Sequence, residues 1–541
     1  MKTIEGKIVD VVSKTIFEGR ITIENGIIKT VEKCNVDSKA YILPGLVDSH
    51  IHIESSMLTP QRFALSALRQ GVISVVADPH EITNVLGVDG FKFMLNDAEK
   101  SPMKIYFGVP SCVPATGFET SGAVIDSKTV AKLLNNSNVV CLSEMMNFPG
   151  VINGDSEVLA KIDAAKSVGK PVDGHAPGLN EDQIKKYAAA GITTDHECFD
   201  IEDARLKIKY GVKIQIREGS AAKNQDALAP LLKESPDSVM LCSDDYHPDD
   251  LNRRYLFSRI QHLVKSGYDF FDVLRAATIV PITHYGLNVG FLQEGNPADL
   301  IVVDDIQFFK VRQVYIDGNC IFDNGKYSFD VEGSKPLNKF HCKKISASNL
   351  DIPCNGQKIR VIEVVDKELI TKQFTIKPLL SGALAVSDVR RDILKITVVN
   401  RYAINAKPAV AFIKGFKLKF GAIATCIAHD SHNIVCVGAD DKSMVMAINT
   451  IVKNRGGLAV CTGSNVFDLP LPIGGIMSNV SCETLAQSYL QLNSLCKALG
   501  CNLTAPFMTL SFMALPVIPS LKITDKGLFD VEKFAFVSVT Q

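Results

Sequence analysis

The sequence predicts an α/β protein whose main body is a (β/α)8 barrel. Short apolar, β-branched runs alternate with helix-favouring stretches from residue 44 to residue 285, and eight such runs occur. A small β-sheet built from both ends of this segment and a C-terminal α+β domain complete the predicted architecture. The length supports this division, because 541 residues are too many for one ordinary domain.

Residues 1–43 are predicted to form one part of the small sheet. Their strand-like runs KIVDVV, RITIENG and IIKTVEK are separated by Gly and Asn turns. A second β-like stretch, GNPADLIVVDD followed by FFKVRQVYIDGNCI, lies within residues 286–335 and would complement these strands. We therefore predict a composite β-domain made of residues 1–43 and 286–335 that flanks the barrel.

The barrel is predicted over residues 44–285. Its candidate strands are 44–52, 72–77, 103–109, 138–144, 170–175, 192–196, 212–217 and 238–245. Stretches such as SEVLAKIDAAKSVG and EDQIKKYAAAG lie between them, and several end at Gly, which commonly stops a helix. Two more helical stretches, DDLNRRYLFSRIQHLVKSG and FFDVLRAATIVPITHYG, follow the eighth strand.

Residues 340–541 are predicted to form a separate α+β domain. Strands are indicated by KIRVIEV, LKITVVN, AVAFI, GAIATCI, IVCVG and GLAVC, and helices by KSMVMAINTIVKN and CETLAQSYLQLNSLCKALG. The Gly- and Pro-rich stretch DLPLPIGGI at 468–476 predicts a loop.

Composition limits the classes of partner. Charged residues make up 22% of the chain and the net charge is -1, so neither nucleic acid nor an anionic membrane is expected to bind. The 14 cysteines show no CxxC spacing, and MKTIEGKIVD lacks the apolar core of a signal peptide. We therefore expect a cytoplasmic protein with reduced thiols. We also expect a homo-oligomer, in which the apolar segment SFMALPVIPSL (511–521) is either interface or core.

Residue types that bind metals collect at the carboxyl ends of the predicted barrel strands. His50 and His52 lie two residues apart on the first strand, so their rings share one face. Taken alone, this pair is equally consistent with hydrogen-bonded core histidines. Later strand ends contribute Glu144, His175, His196 and Asp244. Four imidazoles and two carboxylates at one barrel mouth suit two metal ions bridged by a carboxylate.

The distribution of histidines favours this interpretation over satisfied polar residues at strand ends. Six of the 11 histidines lie at or directly after predicted strand ends, namely His50, His52, His80, His175, His196 and His247. Each residue alone gives weak support for a metal site, whereas the whole set together gives strong support.

These motifs resemble the amidohydrolase superfamily and, within it, the adenine deaminase branch. The matching strings are HIESSMLTP, VVADPHEITNVLG, LSEMMNFPGV, DGHAPGL, SDDYHPDDL, AHDSHNIVCVG and LPLPIGGIMS, and they span the chain from end to end. The resemblance implies that five residues are metal ligands, namely His50, His52, His175, His196 and Asp244. It implies that Glu144 is a bridging ligand at the position where many members of the superfamily carry a carboxylated lysine.

The resemblance also implies the reaction and the cofactor. Adenine, a small purine base, would be hydrolysed to hypoxanthine and ammonia by a metal-activated hydroxide, as part of purine salvage or catabolism. Two divalent ions are implied, Mn²⁺ or Fe²⁺, and Zn²⁺ also suits such ligands. Two other interpretations stay open: another amidohydrolase-type hydrolase, such as a deacetylase or cyclic amidase, and a barrel that has lost catalysis and serves as a scaffold.

Carboxylates near the barrel mouth are candidates for proton transfer. Asp244 is expected to take the proton of the attacking water and deliver it to the departing amine. Attack on the purine ring also needs a hydrogen-bond donor at N1. Glu197 is the first candidate for that donor, and Glu81 and Glu218 are the next. The alternative for each glutamate is a solvated or helix-capping carboxylate.

Other polar residues have two open interpretations each. His80 and His247 either contact the substrate or orient metal ligands, and Asp245 either holds a ligand or caps the following helix. Ser55 and Ser56 either line the substrate pocket or cap the helix after the first strand.

The pair His429 and His432 in HDSH suggests another metal site, but no cysteine or acidic cluster lies close to it in sequence. Hydrogen bonding within a loop is the favoured expectation for this pair.

Overall fold

A computed structural model describes residues 1–220 and 222–541, and the chain divides into two units. The first unit contains Met1–Pro79, Phe93–Ser111 and Asp126–Ser334. The second contains His80–Lys92, Cys112–Ile125 and Lys335–Gln541. Two short segments between barrel strands therefore belong to the second unit. In the described part of the chain, no helix is both long and apolar enough to cross a membrane.

The first unit contains seventeen of the described strands. They are β1 Lys2–Asp10, β2 Thr15–Glu24, β3 Ile27–Lys33, β4 Tyr41–Pro44, β5 Leu46–His52, β6 Val72–Ala77, β7 Lys104–Val109, β8 Val139–Met145, β9 Val172–Gly174, β10 Thr194–Asp195, β11 Lys213–Arg217, β12 Val239–Cys242, β13 Asp244–Asp245, β14 Leu300–Val303, β15 Val311–Ile316, β16 Asn319–Asp323 and β17 Lys326–Tyr327.

Helices alternate with these strands. They are α1 Pro60–Leu68, α2 His80–Leu86, α3 Val88–Ala98, α4 Ser127–Leu133, α5 Phe148–Asn153, α6 Ser156–Ser167, α7 Glu181–Ala190, α8 Ile201–Lys209, α9 Gln225–Leu228, α10 Leu231–Glu234, α11 Pro248–Arg253, α12 Leu256–Lys265, α13 Phe270–Ala276 and α14 Ile279–Tyr285. Helix α7 ends at Gly191, whose φ of 116° is a conformation that residues with a Cβ rarely adopt.

A single sheet joins the two ends of the first unit. Its eight strands follow the order β17-β16-β15-β14-β4-β1-β2-β3. Strand β4 pairs parallel to β1 and antiparallel to β14, so the early and late parts of the unit are hydrogen-bonded to each other. Its buried face is aliphatic and includes Ile8, Ile21, Ile42 and Leu300.

The predicted (β/α)8 barrel is confirmed. Strands β5 to β9 are parallel neighbours in chain order, and β10 to β12 form a second parallel group. A parallel bridge between Val172 and Ile192 joins the two groups on one side. On the other side β13 pairs with β5, with Asp244 opposite Ile51. Eight successive strand positions therefore close into a ring, with helices between them.

Several barrel elements differ from the sequence prediction. The fifth and sixth strands are shorter than expected, so His175 and His196 lie just beyond them. The eighth splits into β12 and β13, and Asp244 takes a left-handed φ of 58°. Non-glycine residues in this conformation carry backbone strain that is often found at functional sites.

The two long helical stretches predicted after the eighth strand are each broken. The first divides into α11 and α12 at Arg254, whose backbone is extended. The second divides into α13 and α14 at Thr278. Pro281 lies in the first turn of α14, where its missing N–H is tolerated, and it could not lie deep inside one continuous helix.

The second unit has its own strands and helices in residues 335–541. The strands are β18 Ile359–Val364, β19 Thr371–Ile376, β20 Leu379–Ser381, β21 Leu384–Val386, β22 Leu394–Val399, β23 Ala409–Lys414, β24 Ala422–Thr425, β25 Ile434–Gly438, β26 Leu458–Cys461, β27 Val466–Leu469, β28 Leu521–Thr524, β29 Gly527–Asp530 and β30 Ala535–Phe536. The helices are α15 Asp441–Asn454, α16 Cys482–Ala498 and α17 Pro506–Phe512.

An eight-stranded sheet, in the order β19-β18-β23-β22-β25-β24-β26-β27, forms the centre of this unit. Helix α15 packs on it through Met444, Ala447, Ile448 and Ile451, whose spacing places them on one face of the helix. The predicted α+β domain is therefore confirmed. The predicted loop at 468–476 is wrong at its start, because β27 extends to Leu469.

Candidate active site

Strand β5 carries the first two candidate ligands and is buried along its whole length. The rings of His50 and His52 lie 4.8 Å apart. Nδ1 of His52 is 3.1 Å from the carbonyl oxygen of Asp78, which can only accept a hydrogen bond. The proton is therefore assigned to Nδ1, and Nε2 keeps its lone pair for a metal ion.

Glu144, near the end of β8, lies at the centre of the cluster. Its Oε1 is 3.3 Å from Nε2 of His52. Its Oε2 is 2.7 Å from Nδ1 of His175 and 3.1 Å from Nε2 of His196. The two carboxylate oxygens thus face two different sets of imidazoles, which suits a carboxylate that bridges two ions.

Asp244 completes the group from β13. Its Oδ1 lies 3.0 Å from Nε2 of His52 and 3.7 Å from Nε2 of His50. Its Oδ2 accepts a hydrogen bond of 2.7 Å from Nη1 of Arg217. One oxygen of Asp244 therefore faces the imidazoles while the other is held by a cation.

The cluster stabilises ionised carboxylates. Burial alone would raise the pKa of Glu144, but His175 and the neighbouring imidazoles outweigh it and hold that pKa well below its usual range. For Asp244, Arg217 outweighs burial in the same way and lowers the pKa.

His175 is held in its protonated form by the neighbouring carboxylates. Burial opposes protonation of His175, but Glu197 and Glu144 raise its pKa to about 9. A metal ion bound at His175 must therefore displace a proton.

These residues fit divalent metal ions. Ligand atoms of His50, His196 and Asp244 lie within 4.8 Å of one another, and so do those of Glu144, His175 and His196. Nε2 of His50 is buried and has no hydrogen-bond partner among the described residues. A buried polar atom without a partner is costly, and a metal ion would satisfy it. Imidazole and carboxylate ligands together suit divalent transition metals.

Arg217 was missed by the sequence analysis. It ends strand β11, and its buried guanidinium donates from Nη1 to Oε1 of Glu197 as well as to Asp244. Burial would raise the pKa of Glu197, but Arg217 and then His175 outweigh it and lower that pKa. Glu197 is therefore favoured as a carboxylate. The signal in the sequence was a lone arginine at the end of the strand KIQIR, at the mouth of the barrel.

The two serines after β5 do not cap the next helix, so that alternative is wrong. Helix α1 begins at Pro60 after Thr59. Ser55 instead donates to Oδ1 of Asp245 at 2.5 Å, and Ser56 donates to the carbonyl of Ile53 at 2.6 Å inside a short 3-10 helix. Ser55 is thus connected to the residue next to Asp244, whereas Ser56 makes a local bond.

Two other candidates lie after later strands. Glu218 is half-buried and pairs with Lys223 at 3.0 Å. His247 precedes helix α11 and is buried, and its backbone N–H donates to Oγ of Ser220 at 2.9 Å.

His80 and Glu81 belong to the second unit, where they begin helix α2. Glu81 is only 2% exposed, so the alternative of a solvated carboxylate is wrong. Its two oxygens bond Nδ1 of His429 and Nε2 of His432. The structure thus connects the HDSH motif to the HEITNVL helix of the same unit.

Comparison with known proteins agrees with this arrangement. The amidohydrolase family profile matches residues 41–329, and the adenine deaminase C-terminal domain profile matches residues 368–535. The adenine deaminase of Methanosarcina mazei is 50% identical, over 100% of this chain and 99% of its own. This chain belongs to the adenine deaminase family. The adenine deaminases of Salinibacter ruber and Borreliella burgdorferi are 47% and 45% identical over 99% of this chain, and over 98% and 99% of their own.

Family membership confirms the resemblance inferred from the sequence motifs. The two profiles together cover the barrel and most of the last domain, and the relatives match the chain along its full length. Like other amidohydrolases, this adenine deaminase family member is a metal-dependent hydrolase, and its buried histidine and carboxylate cluster supplies suitable ligands.

Proposed function

We propose that this chain deaminates adenine by hydrolysis. Water adds its oxygen to C6 of the purine ring, and the C6–N bond breaks to release ammonia and hypoxanthine. The buried cluster around Glu144 carries the proposal, because it joins four imidazoles and two carboxylates at the barrel mouth. Relatives named adenine deaminase, up to 50% identical along the full chain, supply the choice of substrate.

We propose that His50, His52, His175, His196 and Asp244 hold two divalent ions, with Glu144 between them. When bound, such ions lower the pKa of water so that hydroxide is available at neutral pH. Mn²⁺ or Fe²⁺ is our choice of metal, taken from the family resemblance, and Zn²⁺ also suits these ligands.

Asp244 is our candidate for proton transfer. Arg217 holds its Oδ2 and keeps the carboxyl ionised, so Oδ1 is left to accept the proton of the attacking water. That proton then passes to the departing amine, which leaves as ammonia.

Glu197 is our candidate for contact with N1 of adenine. Arg217 favours its ionised form, so Glu197 can donate to N1 only after it gains a proton. His80, His247, Glu81, Glu218, Ser55 and Ser56 stay further candidates for catalysis or substrate contact.

We also propose that the protein is a cytoplasmic homo-oligomer. No disulfide joins the cysteines that the structure describes, which suits a reducing compartment. Sedimentation of the purified protein would measure its oligomeric state.

One assay tests the reaction. Purified protein reconstituted with Mn²⁺, Fe²⁺ or Zn²⁺ is given adenine, and hypoxanthine and ammonia are measured together. We expect equal amounts of both products, and Asp244→Asn should turn over adenine more slowly than wild type when the two proteins are compared at equal metal content. Turnover of acylated amines or cyclic amides without turnover of adenine would contradict the proposal. So would a metal-loaded protein that is inactive on all of these substrates.

A further inference from the structure

The second unit contains a cluster of metal-ligating side chains that the proposed reaction does not use as ligands. We call it the second cluster, and its members are His80, Glu81, His429, Asp430 and His432. Each of the five is at most 5% exposed. Three imidazoles and two carboxylates buried together are costly unless they are paired or bind a cation.

The ligand atoms converge from two segments of the unit. Helix α2 supplies His80 and Glu81, and the loop between β24 and β25 supplies the other three. Nε2 of His80 lies 3.5 Å from Oε1 of Glu81 and 3.8 Å from Oδ1 of Asp430. Two ligands each about 2.1 Å from a shared ion, at a tetrahedral angle, lie about 3.4 Å apart. These two separations are close to that spacing, whereas the oxygens of Glu81 are hydrogen-bonded directly to His429 and His432.

The loop is held in place independently of these contacts. The ring of His429 stacks on Phe512 at 4.7 Å, and Asn433 donates to the carbonyl of Thr120 at 3.0 Å. The hydroxyl of Tyr402 donates to the carbonyl of Ser431 at 2.6 Å. A loop fixed in this way presents its ligands with little loss of conformational entropy on binding.

An unsatisfied carboxylate oxygen gives the cluster a reason to bind a cation. Oδ2 of Asp430 is buried and has no hydrogen-bond partner within the described part of the chain.

We propose that the second cluster binds one divalent transition-metal ion. His80, Glu81 and Asp430 supply one ligand atom each, and His429 or His432 supplies a fourth. Such a set of imidazoles and carboxylates suits Zn²⁺, Mn²⁺ or Fe²⁺. The ion would connect the start of α2 to the loop between β24 and β25, and its binding energy would stabilise the fold of the second unit. This proposal does not depend on the reaction assigned to the barrel.

Counting bound metal in three full-length proteins tests the proposal. The first is the wild type, the second is the barrel variant Glu144→Gln with His196→Asn, and the third is the cluster variant His429→Asn with His432→Asn. Each is stripped with a chelator, titrated with Zn²⁺ or Mn²⁺, exchanged into metal-free buffer and measured by mass spectrometry. We expect the cluster variant to bind one equivalent less than wild type. We expect the barrel variant to keep one equivalent, and we expect Asp430→Asn added to that variant to remove it.

A matched control replaces two exposed histidines, His262→Asn with His341→Asn, and should bind as much metal as wild type. Equal metal content in the cluster variant and wild type would overturn the proposal, and so would a barrel variant that binds no metal. If the cluster variant fails to fold by circular dichroism, Asp430→Asn in the barrel variant takes its place.

A spectroscopic readout is independent of metal counting. Co²⁺ added to the stripped barrel variant should produce visible d–d absorption and raise the thermal unfolding temperature. Adding Asp430→Asn to that protein should weaken the absorption and remove the rise. Unchanged absorption, or no absorption in the barrel variant, would show that the histidines only hydrogen-bond Glu81.

Discussion

The guanidinium of Arg217 lies between two carboxylates, with Nη1 2.7 Å from Oδ2 of Asp244 and also bonded to Oε1 of Glu197. All three side chains are buried. One cation therefore neutralises two groups that the proposed reaction uses. Removing one member of such a buried group destabilises the protein, because the remaining buried charges are no longer neutralised.

Replacing Arg217 by Met should lower adenine turnover by roughly 10- to 100-fold, the usual cost of losing a residue that orients a metal ligand. Without the guanidinium, the pKa of Asp244 or Glu197 rises and one of the two becomes protonated near neutral pH. Steady-state kinetics and metal content would be measured together. Arg217→Lys should recover only part of the activity, because an ammonium lacks the planar fork of donors.

Arg205→Met is the matched control for this change. Arg205 also contacts two carboxylates, Glu202 and Glu234, but it is 43% exposed. Exposed ion pairs contribute about 0–1 kcal/mol, so activity should stay within about twofold of wild type. Wild-type kcat in Arg217→Met would contradict the role assigned to Arg217.

Glu144→Gln should reduce metal binding. An amide is neutral and is a weaker ligand than the carboxylate whose two oxygens now face His52, His175 and His196. We expect the barrel to lose at least one of its two ions, together with most adenine turnover. Elemental analysis after dialysis measures the loss, with the exposed Glu234→Gln as control. Full metal content in Glu144→Gln would exclude a bridging role.

The barrel and its ring of histidines could be predicted because both leave local signals. Alternating apolar runs and helical stretches reveal the strands, and the carboxyl ends of barrel strands identify the site. The positions of His50 and His52 on β5 and of Glu144 on β8 were enough to predict them as candidate ligands. The break in the eighth strand at Ser243, which turns Asp244 to φ 58°, had no such signal.

Contacts between distant segments could not be predicted from one sequence. Glu81 bonds His429 and His432, which lie 348 and 351 residues further along the chain. Their pairing depends on how α2 packs within the second unit, and local periodicity does not report this. For the same reason, the partners of Arg217 were missed although its position at a strand end was visible.

Ser55 and Ser56 are expected to behave differently when replaced by Ala. Ser55 donates to Asp245, the neighbour of Asp244, and a hydrogen bond to a charged group contributes about 1.5–3 kcal/mol. Ser55→Ala should therefore lower kcat or raise KM by about 3- to 30-fold. Ser56→Ala removes local bonds to the carbonyl of Ile53 and the N–H of Leu58 and should change activity by less than about twofold. Equal kinetic effects of the two substitutions would contradict this distinction.

Lys522 makes the stability of the second unit depend on pH. Its side chain is fully buried, and Nζ donates to the carbonyls of Leu369 and Phe512 at 2.8 and 3.0 Å. Burial lowers the pKa of Lys522 from 10.5 to about 7. Between these two values the unfolded chain holds one more proton than the folded chain, so the free energy of unfolding rises with pH in that window.

Lys522→Met and Lys522→Gln should each remove this contribution. Relative to either variant, wild type should gain stability as the pH rises from 7 towards 10, by up to about 4 kcal/mol at about 1.4 kcal/mol per pH unit. Reversible urea unfolding at several pH values measures the difference, and groups shared by all three proteins cancel. The two variants will differ in absolute stability, because Gln can donate to one of the carbonyls and Met cannot. The difference in unfolding free energy between wild type and variant should nevertheless change with pH by the same amount for both. Parallel stability curves for wild type and both variants would show that Lys522 stays charged in the folded protein.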